Sequence, residues 1–420
     1  GITHDGTCDR SFVFFSDPCP FMKLCWLVPN DHAGGIISVA VSSCRQAAAA
    51  GHDVTLLLLT EPSGHFSEFA TFHYESLHLQ EKSPTTPQAL VQWLTDHPQD
   101  VLFVNDCSPA HPALPYVPSG TRSVFVVHDT ARQYWRPAVH NDAHLDAIVT
   151  VSEVIADQFR DRLDAPDKLH VVHNGTVFPE SVDPKPFDAR EESLLFLGGD
   201  KPFKGAEDVL SLWTVLAERG FDGALHWYGR VEPDFESRIR RLPASDRVHV
   251  HGRVPRSAIF RRAAQLTCIL VPSRVEPFGM VTVEGMGMGA VPIAWDIETG
   301  TREIVTSGQD GLLVPLENAE AMADAVFDVL AQYGRLAPQA VEKARTEFSE
   351  QAMWTRYSSF LDDLASRAPV HREHAGETPP EYAPPTRYFQ LLPSGLRSSI
   401  RQMIAQSPRL SYWLRDWRGL

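Results

Sequence analysis

Short apolar runs of strand character alternate with helix-like segments along most of the chain, and that alternation admits few folds beyond parallel α/β units. MKLCWLVP (22–29) reads as a strand, DHAGG as a glycine loop, and IISVAVSSCRQAAAAG (36–51) as a helix closed by Gly51. DVTLLLL (53–59), DVLFVN (100–105), SVFVVH (123–128), DAIVTVS (146–152) and KLHVVHNG (168–175) continue the strands. A hinge is expected over 176–190, where Pro179, Pro184 and Pro186 fall. A second series follows: SLLFLGG (193–199), GALHWYG (223–229), RVHVHG (247–252), TCILVPS (267–273) and AVPIAW (290–295). Helical faces are expected at Val209, Leu210, Trp213, Leu216 and Ala217, and at Met322, Val326, Val329 and Leu330. The pattern predicts two doubly wound domains of similar size. Ligands bind such sheets at the carboxyl ends of their strands, so two facing domains place a site in the cleft between them.

The chain has 420 residues, too many for one ordinary core. The domain boundaries expected are 1–180 and 181–367, then a Pro-rich linker over 368–386 and a basic segment over 387–420. No apolar run approaches the ~20 residues that span a bilayer, and SFVFF near the start is too short for a signal-peptide core. The six cysteines, at 8, 19, 25, 44, 107 and 268, show no C-x-x-C spacing, which points to reduced thiols and a cytoplasmic protein. A formal charge of −15 argues against broad nucleic-acid binding. The last 34 residues run the other way, with six arginines and one acid. There Leu410, Trp413, Leu414 and Trp417 share one helical face. This predicts either packing on the first domain or peripheral contact with an anionic membrane.

Most of the chemistry lies in TCILVPSRVEPFGMVTVEGMGMG (267–289). A buried strand ends at Pro272-Ser273, a loop carries Glu276, and Gly279 opens a helix whose free N–H groups at 279–281 suit phosphate oxygens. Two carboxylates can be an acid and a base, metal ligands or hydroxyl-binding groups. Glu284 lies more than one turn inside the helix and Glu276 lies before it, so they cannot make the i, i+4 pair of a helical metal site. Beside a bound phosphate a carboxylate is unfavourable unless hydroxyls donate to it, as those of sugars and ribose do.

The segment PSRVEPFGMVTVEGMGMGAVPIAW resembles the signature of the retaining GT-B-fold glycosyltransferases, in the glycogen-synthase-like group that includes glycosyltransferase family 4. The resemblance implies a GT-B fold with a C-terminal extension. It implies that Glu276 holds hydroxyls of the donor sugar, that backbone amides of Phe278, Gly279, Met280 and Val281 face sugar and phosphate, and that Glu284 takes the ribose hydroxyls. FLGGDKPFKGAEDVL (196–210) matches the family's G-R-x-x-x-x-K-G at Lys204 and Gly205. It has Gly199 at the arginine position, for which Lys201 or Arg230 are candidate replacements. VHVHGRVPRSAIF (248–260) resembles the base-contacting loop through Arg253 and Val254. His249 and His251 within it are not expected to bind metal, since no third ligand is near in sequence. In WDIETGTREIV (295–305) Thr301 departs from the family's second glycine, and Glu303 matches its structural glutamate. In the first domain Gly34 and Gly35 would approach the diphosphate, and His128 would contact the transferred sugar, with Asp129 a loop or cap residue.

The implied reaction moves a sugar from a UDP- or GDP-linked donor to an acceptor hydroxyl on a glycan, glycolipid or small molecule, with configuration retained. His128, Lys204 and Glu276 are its expected catalytic residues. No D-x-D motif is present, so neither a metal nor a further cofactor is expected. The alternatives are a non-catalytic nucleotide-sugar-binding protein and a nucleotide-sugar epimerase of the same fold.

Overall fold

The computed structural model describes residues 21–32, 34–64, 71–180 and 185–384. The first sheet holds β1 (Lys23–Val28), β2 (Asp53–Leu58), β3 (His73–Ser76), β4 (Val101–Asn105), β5 (Arg122–Val127), β6 (Ala147–Thr150) and β7 (Leu169–Val171). They lie in the order β3-β2-β1-β4-β5-β6-β7. The second holds β8 (Glu191–Phe196), β9 (Leu225–Tyr228), β10 (Val248–Gly252), β11 (Leu266–Val271), β12 (Val291–Trp295) and β13 (Leu312–Val314), ordered β10-β9-β8-β11-β12-β13. All strand pairs are parallel. Parallel strands covered on both faces read as continuous apolar runs, as LCWLV and LTCILV do here.

Helices cover both sheets. They are α1 (Gly35–Ala49), α2 (Thr86–Asp96), α3 (Arg132–His140), α4 (Glu153–Ala156), α5 (Ala206–Glu218), α6 (Pro233–Ile239), α7 (Arg256–Ala263), α8 (Met280–Gly287), α9 (Gly300–Ile304), α10 (Ala319–Glu347) and α11 (Glu350–Ser366). The faces expected on α5 and α10 are the buried ones, through Val209, Trp213 and Leu216 and through Met322, Val326 and Val329. The chain passes between domains twice, and the two passages touch. Thr176 N donates to Phe348 O at 2.9 Å, and Glu350 N donates to Thr176 O at 3.1 Å. α11 therefore returns to the first sheet, burying Met353, Trp354, Tyr357, Phe360 and Leu361 against Leu24, Trp26 and Phe103.

Beyond α11 the proline-rich stretch is a strap rather than a spacer. Arg372 is buried, pairs with Asp146, and donates to the carbonyls of His144 (2.9 Å) and Thr121 (3.1 Å). Tyr382 N reaches Pro84 O at 2.8 Å. The 387–420 segment, with its expected amphipathic face, lies outside the described residues. Among the described residues no helix is long and apolar enough to cross a membrane.

Candidate functional site

In both sheets the order reverses between two central strands, β1 and β4 in the first and β8 and β11 in the second. The loops leaving such a pair diverge to opposite faces and open a crevice at the carboxyl ends. In the second domain those two loops are the 197–205 and 272–279 segments. They bring Lys204 and Glu276 together although 72 residues separate them: Lys204 Nζ donates to Glu276 Oε2 at 2.6 Å. Both side chains are largely shielded, at 24 % and 11 % exposure. The approach depends on Gly205, whose φ of +81° is left-handed and whose Cβ, if present, would stand 2.2 Å from Pro272 O.

The neighbouring loop accounts for the glycine at 199. Gly199 has φ +57°, and a Cβ there would stand 2.4 Å from Arg230 O. Its amide donates to Tyr228 O (2.9 Å), and its carbonyl accepts from Trp227 Nε1 (2.9 Å). The turns after β8 and β9 thus meet backbone to backbone, and no side chain fits between them. Arg230 contributes only main chain here, because its guanidinium is mostly exposed and paired with Glu232 at 2.8 Å. Lys201 lies on the same loop as Lys204, and the two ammonium groups stand 5.7 and 5.9 Å from the Phe203 ring.

Gly279, at φ +112°, caps α8, whose first turn is Met280, Val281 and Thr282. The Phe278 side chain is buried between the rings of His173 and Phe348, at 5.7 and 5.9 Å, so only its main chain can serve a ligand. Glu284 is shielded as well, and Arg256 Nη2 donates to its Oε1 at 2.5 Å. Burial pushes the Glu284 carboxyl up, against the pull of Arg256. Arg256 also donates to Thr176 at the interdomain passage. Each glutamate of the E-x7-E motif therefore carries its own cation; sequence reading named Lys204, as a phosphate contact, and did not name Arg256. Arg253, one turn before α7, is exposed, and Val254 is half-buried. Arg274, also missed, braces the loop through Asp208 and through Glu317 at 3.2 Å.

In the first domain Gly34 caps α1 in extended backbone, and a Cβ at Gly35 would meet nothing within 4 Å. The loop before them is fixed by buried Asp31, which accepts from Ser63 N (2.9 Å) and Tyr74 OH (2.6 Å). His128 follows β5, and its Nε2 lies 3.0 Å from Asn105 Oδ1. The Asn105 amide nitrogen faces the carbonyls of Leu27 (3.5 Å) and Phe103 (3.3 Å), which turns Oδ1 toward the imidazole. His128 Nε2 is then the donor, and Nδ1 is the acceptor nitrogen of a neutral ring. Burial lowers the His128 pKa to about 4, so the ring stays neutral near pH 7. Next to Asn105, Asp106 has φ +43°, and burial followed by Asp129 and Glu81 raises its carboxyl to about 7. Asp129 Oδ1 accepts from Ala131 N at 2.8 Å and shapes the turn into α3.

His249 and His251 do have a third imidazole beside them, contrary to the expectation from sequence spacing. His226 on β9 pairs with His249 in register and lies 3.0 Å from His251. The Arg262 guanidinium donates to His226 Nε2 at 2.6 Å, which places a cation where a metal would otherwise approach. Among the described residues no group of three or more His, Cys, Asp or Glu is arranged to hold a metal. Burial and then Arg262 push His226 down to about 3, and buried His111 lies at about 4.

These histidines give stability a sign in pH. Each binds its proton less readily folded than unfolded, so the unfolded chain takes up more protons below about 6.5. Asp106 and Glu284, both raised by burial, oppose them, but they are two groups against His111, His128 and His226, with His52, His144, His170 and His251 lowered as well. Calorimetry is expected to show a flat melting temperature above pH 7.5 and a progressive fall from pH 6.5 to 4. A melting temperature that rises on acidification would contradict this.

Comparison with known proteins agrees with the geometry. Residues 33–177 match the family model described as Glycosyltransferase Family 4, and residues 191–332 match Glycosyl transferases group 1. A GDP-mannose:cellobiosyl-diphosphopolyprenol alpha-mannosyltransferase from Xanthomonas oryzae pv. oryzae is 26 % identical, over 73 % of this chain and 86 % of its own. Three other curated relatives are matched over only 56, 14 and 36 % of their length, so the chain spans about half of them or less. Among solved structures, a glycosyltransferase from Rickettsia africae ESF-5 superposes with a TM-score of 0.70 at 16 % identity, covering 83 % of this chain and all of the other. Anabaena HepE in complex with UDP-glucose superposes with a TM-score of 0.65 at 18 % identity, covering 81 % of this chain and all of the other.

Proposed function

We propose that this chain, built from the two domains of the GT-B glycosyltransferases, transfers a sugar from a nucleotide-diphosphate donor to an acceptor hydroxyl with retention of configuration and without a metal. The observation that carries the reading is the pair of loops at the β8/β11 reversal, where Lys204, Glu276 and the start of α8 converge. The diphosphate sits at the amides that open α8, and Lys204 exchanges its carboxylate partner for phosphate oxygen. Lys201 on the same loop supplies the second cation that the packed Gly199 cannot. Glu276, released from Lys204, accepts from hydroxyls of the sugar. Glu284 accepts from the ribose, with Arg256 holding its carboxylate in place. Gly34 and Gly35 let the first domain's backbone approach the donor, and Arg253 and Val254 lie beside the base.

The bond to the leaving phosphate breaks with positive charge developing on the sugar. A cation and a helix start aimed at the departing oxygens stabilise that change without reorganising. Neutral His128 can lie beside the sugar without repelling the developing charge. The acceptor's proton passes to the leaving phosphate on the same face, so no separate base is required.

The donor half is tested by thermal shift with a panel of UDP- and GDP-sugars. One donor is expected to raise the melting temperature saturably, and the gain should be lost in Glu284→Ala. A panel in which none shifts the wild type would overturn the reading.

A further inference from the structure

The donor loop is held from outside its own domain. Ser152, just before α4 in the first domain, donates its hydroxyl to Pro277 O in the middle of EPFG. Glu303 on α9 of the second domain reaches back. Its carboxylate accepts from Glu153 N at 2.9 Å and Val154 N at 2.7 Å, and His173 Nε2 lies 3.1 Å from the same group. Two backbone amides and one imidazole thus converge on a carboxylate that is only 19 % exposed. α9 in turn touches the loop, since Gly300 N donates to Glu276 O at 2.7 Å and the Thr301 hydroxyl stands behind Gly279. The same His173 ring covers Phe278. Beneath these polar links one apolar cluster continues through both domains, with Val151 and Ile155 on one side and Phe278, Val283 and Ile304 on the other.

Resting on the transferase reading above, we infer that Glu303 is a positioning residue: with Ser152 and His173 it clasps the two domains at the donor loop and fixes where Glu276 presents its carboxylate. The main-chain donors it uses belong to α4, so it reports the placement of the first domain directly to the loop. Glu303 touches none of the donor-binding side chains and acts only through the backbone of 276–279.

Glu303→Gln tests this. A glutamine amide nitrogen turned toward the Glu153 and Val154 amides puts donor against donor, whereas Glu303→Asp keeps the charge on a shorter arm. Spin labels at Asp96→Cys and Asp222→Cys, both exposed, report the interdomain distance once Cys8 and Cys19 are replaced by serine. The four described native cysteines are buried. Glu303→Gln is expected to lengthen and broaden the distance distribution and to lower kcat at least about tenfold. It should leave the dissociation constant for UDP or GDP, whichever the wild type binds, within about threefold. Glu303→Asp should restore most of both. An unchanged distance distribution in Glu303→Gln overturns the clasp, even if the melting temperature falls. If the wild type turns over no nucleotide sugar, the functional reading fails while the distance measurement still decides the clasp.

Discussion

Lys204→Ala is expected to lower sugar transfer by about 10²- to 10³-fold, the usual effect of removing one preorganised group from a developing negative charge. The ground state predicts a second effect. Lys204 neutralises Glu276 at 2.6 Å in a site where the glutamate is 11 % exposed. Removing the ammonium alone leaves that carboxylate buried and unpaired, a destabilisation on the order of 1–3 kcal/mol. Replacing both residues removes the unpaired charge. Lys204→Ala should therefore melt below wild type, and Lys204→Ala with Glu276→Gln should recover most of the difference while remaining inactive. Recovery of stability without recovery of turnover separates the structural role of the pair from its chemical one. Near wild-type turnover in Lys204→Ala would remove the residue from the site.

Gly199→Arg is expected to destabilise the second domain rather than improve catalysis. It places an arginine where the family signature has one, so on sequence grounds alone it reads as a repair. The backbone opposes it twice. A non-glycine residue at φ +57° costs about 1 kcal/mol or more, and any Cβ there meets Arg230 O at 2.4 Å. That oxygen already accepts from Asp200 N at 3.1 Å, and Gly199 O from the buried Trp227 indole, so neither strand end can withdraw. Gly199→Ala carries the same Cβ and should lose nearly as much, about 3 kcal/mol in total. Differential scanning calorimetry of the two variants checks this. A Gly199→Arg protein that melts with wild type and turns over faster would contradict it.

What the sequence made legible followed from burial. Strands covered on both faces, such as β1, β4, β5 and β11, announce themselves as unbroken apolar runs, and reading them in order is enough to predict two parallel sheets. Of the four edge strands, β7 and β10 were legible and β3 and β13 were not. HYES at β3 is polar and largely uncovered, and LLV at β13 is only three residues long. Helix α2 went unassigned, as did α3 between two strands that were read. Within the site, short motifs named the residues but not the partners those residues meet. Glu284 meets Arg256 from 28 residues away, and Glu303 meets the amides of 153 and 154 from the other domain. No local spacing encodes such meetings, which exist only once the sheets are wound and the domains face each other. Gly199 was a departure in the sequence and became a packing requirement in the fold, because its neighbour is a carbonyl in the turn after the adjacent strand.

The central claim is that the loops at β8 and β11 deliver a nucleotide-linked sugar to a second substrate. Release of free nucleotide from the donor identified by thermal shift, followed with and without a hydroxyl acceptor, tests it most directly. The predicted result is release that rises with acceptor concentration in the wild type and is about 10²- to 10³-fold slower in Lys204→Ala. Release independent of acceptor, conversion of the donor to its epimer, or binding of donor without turnover in any acceptor pool would contradict it.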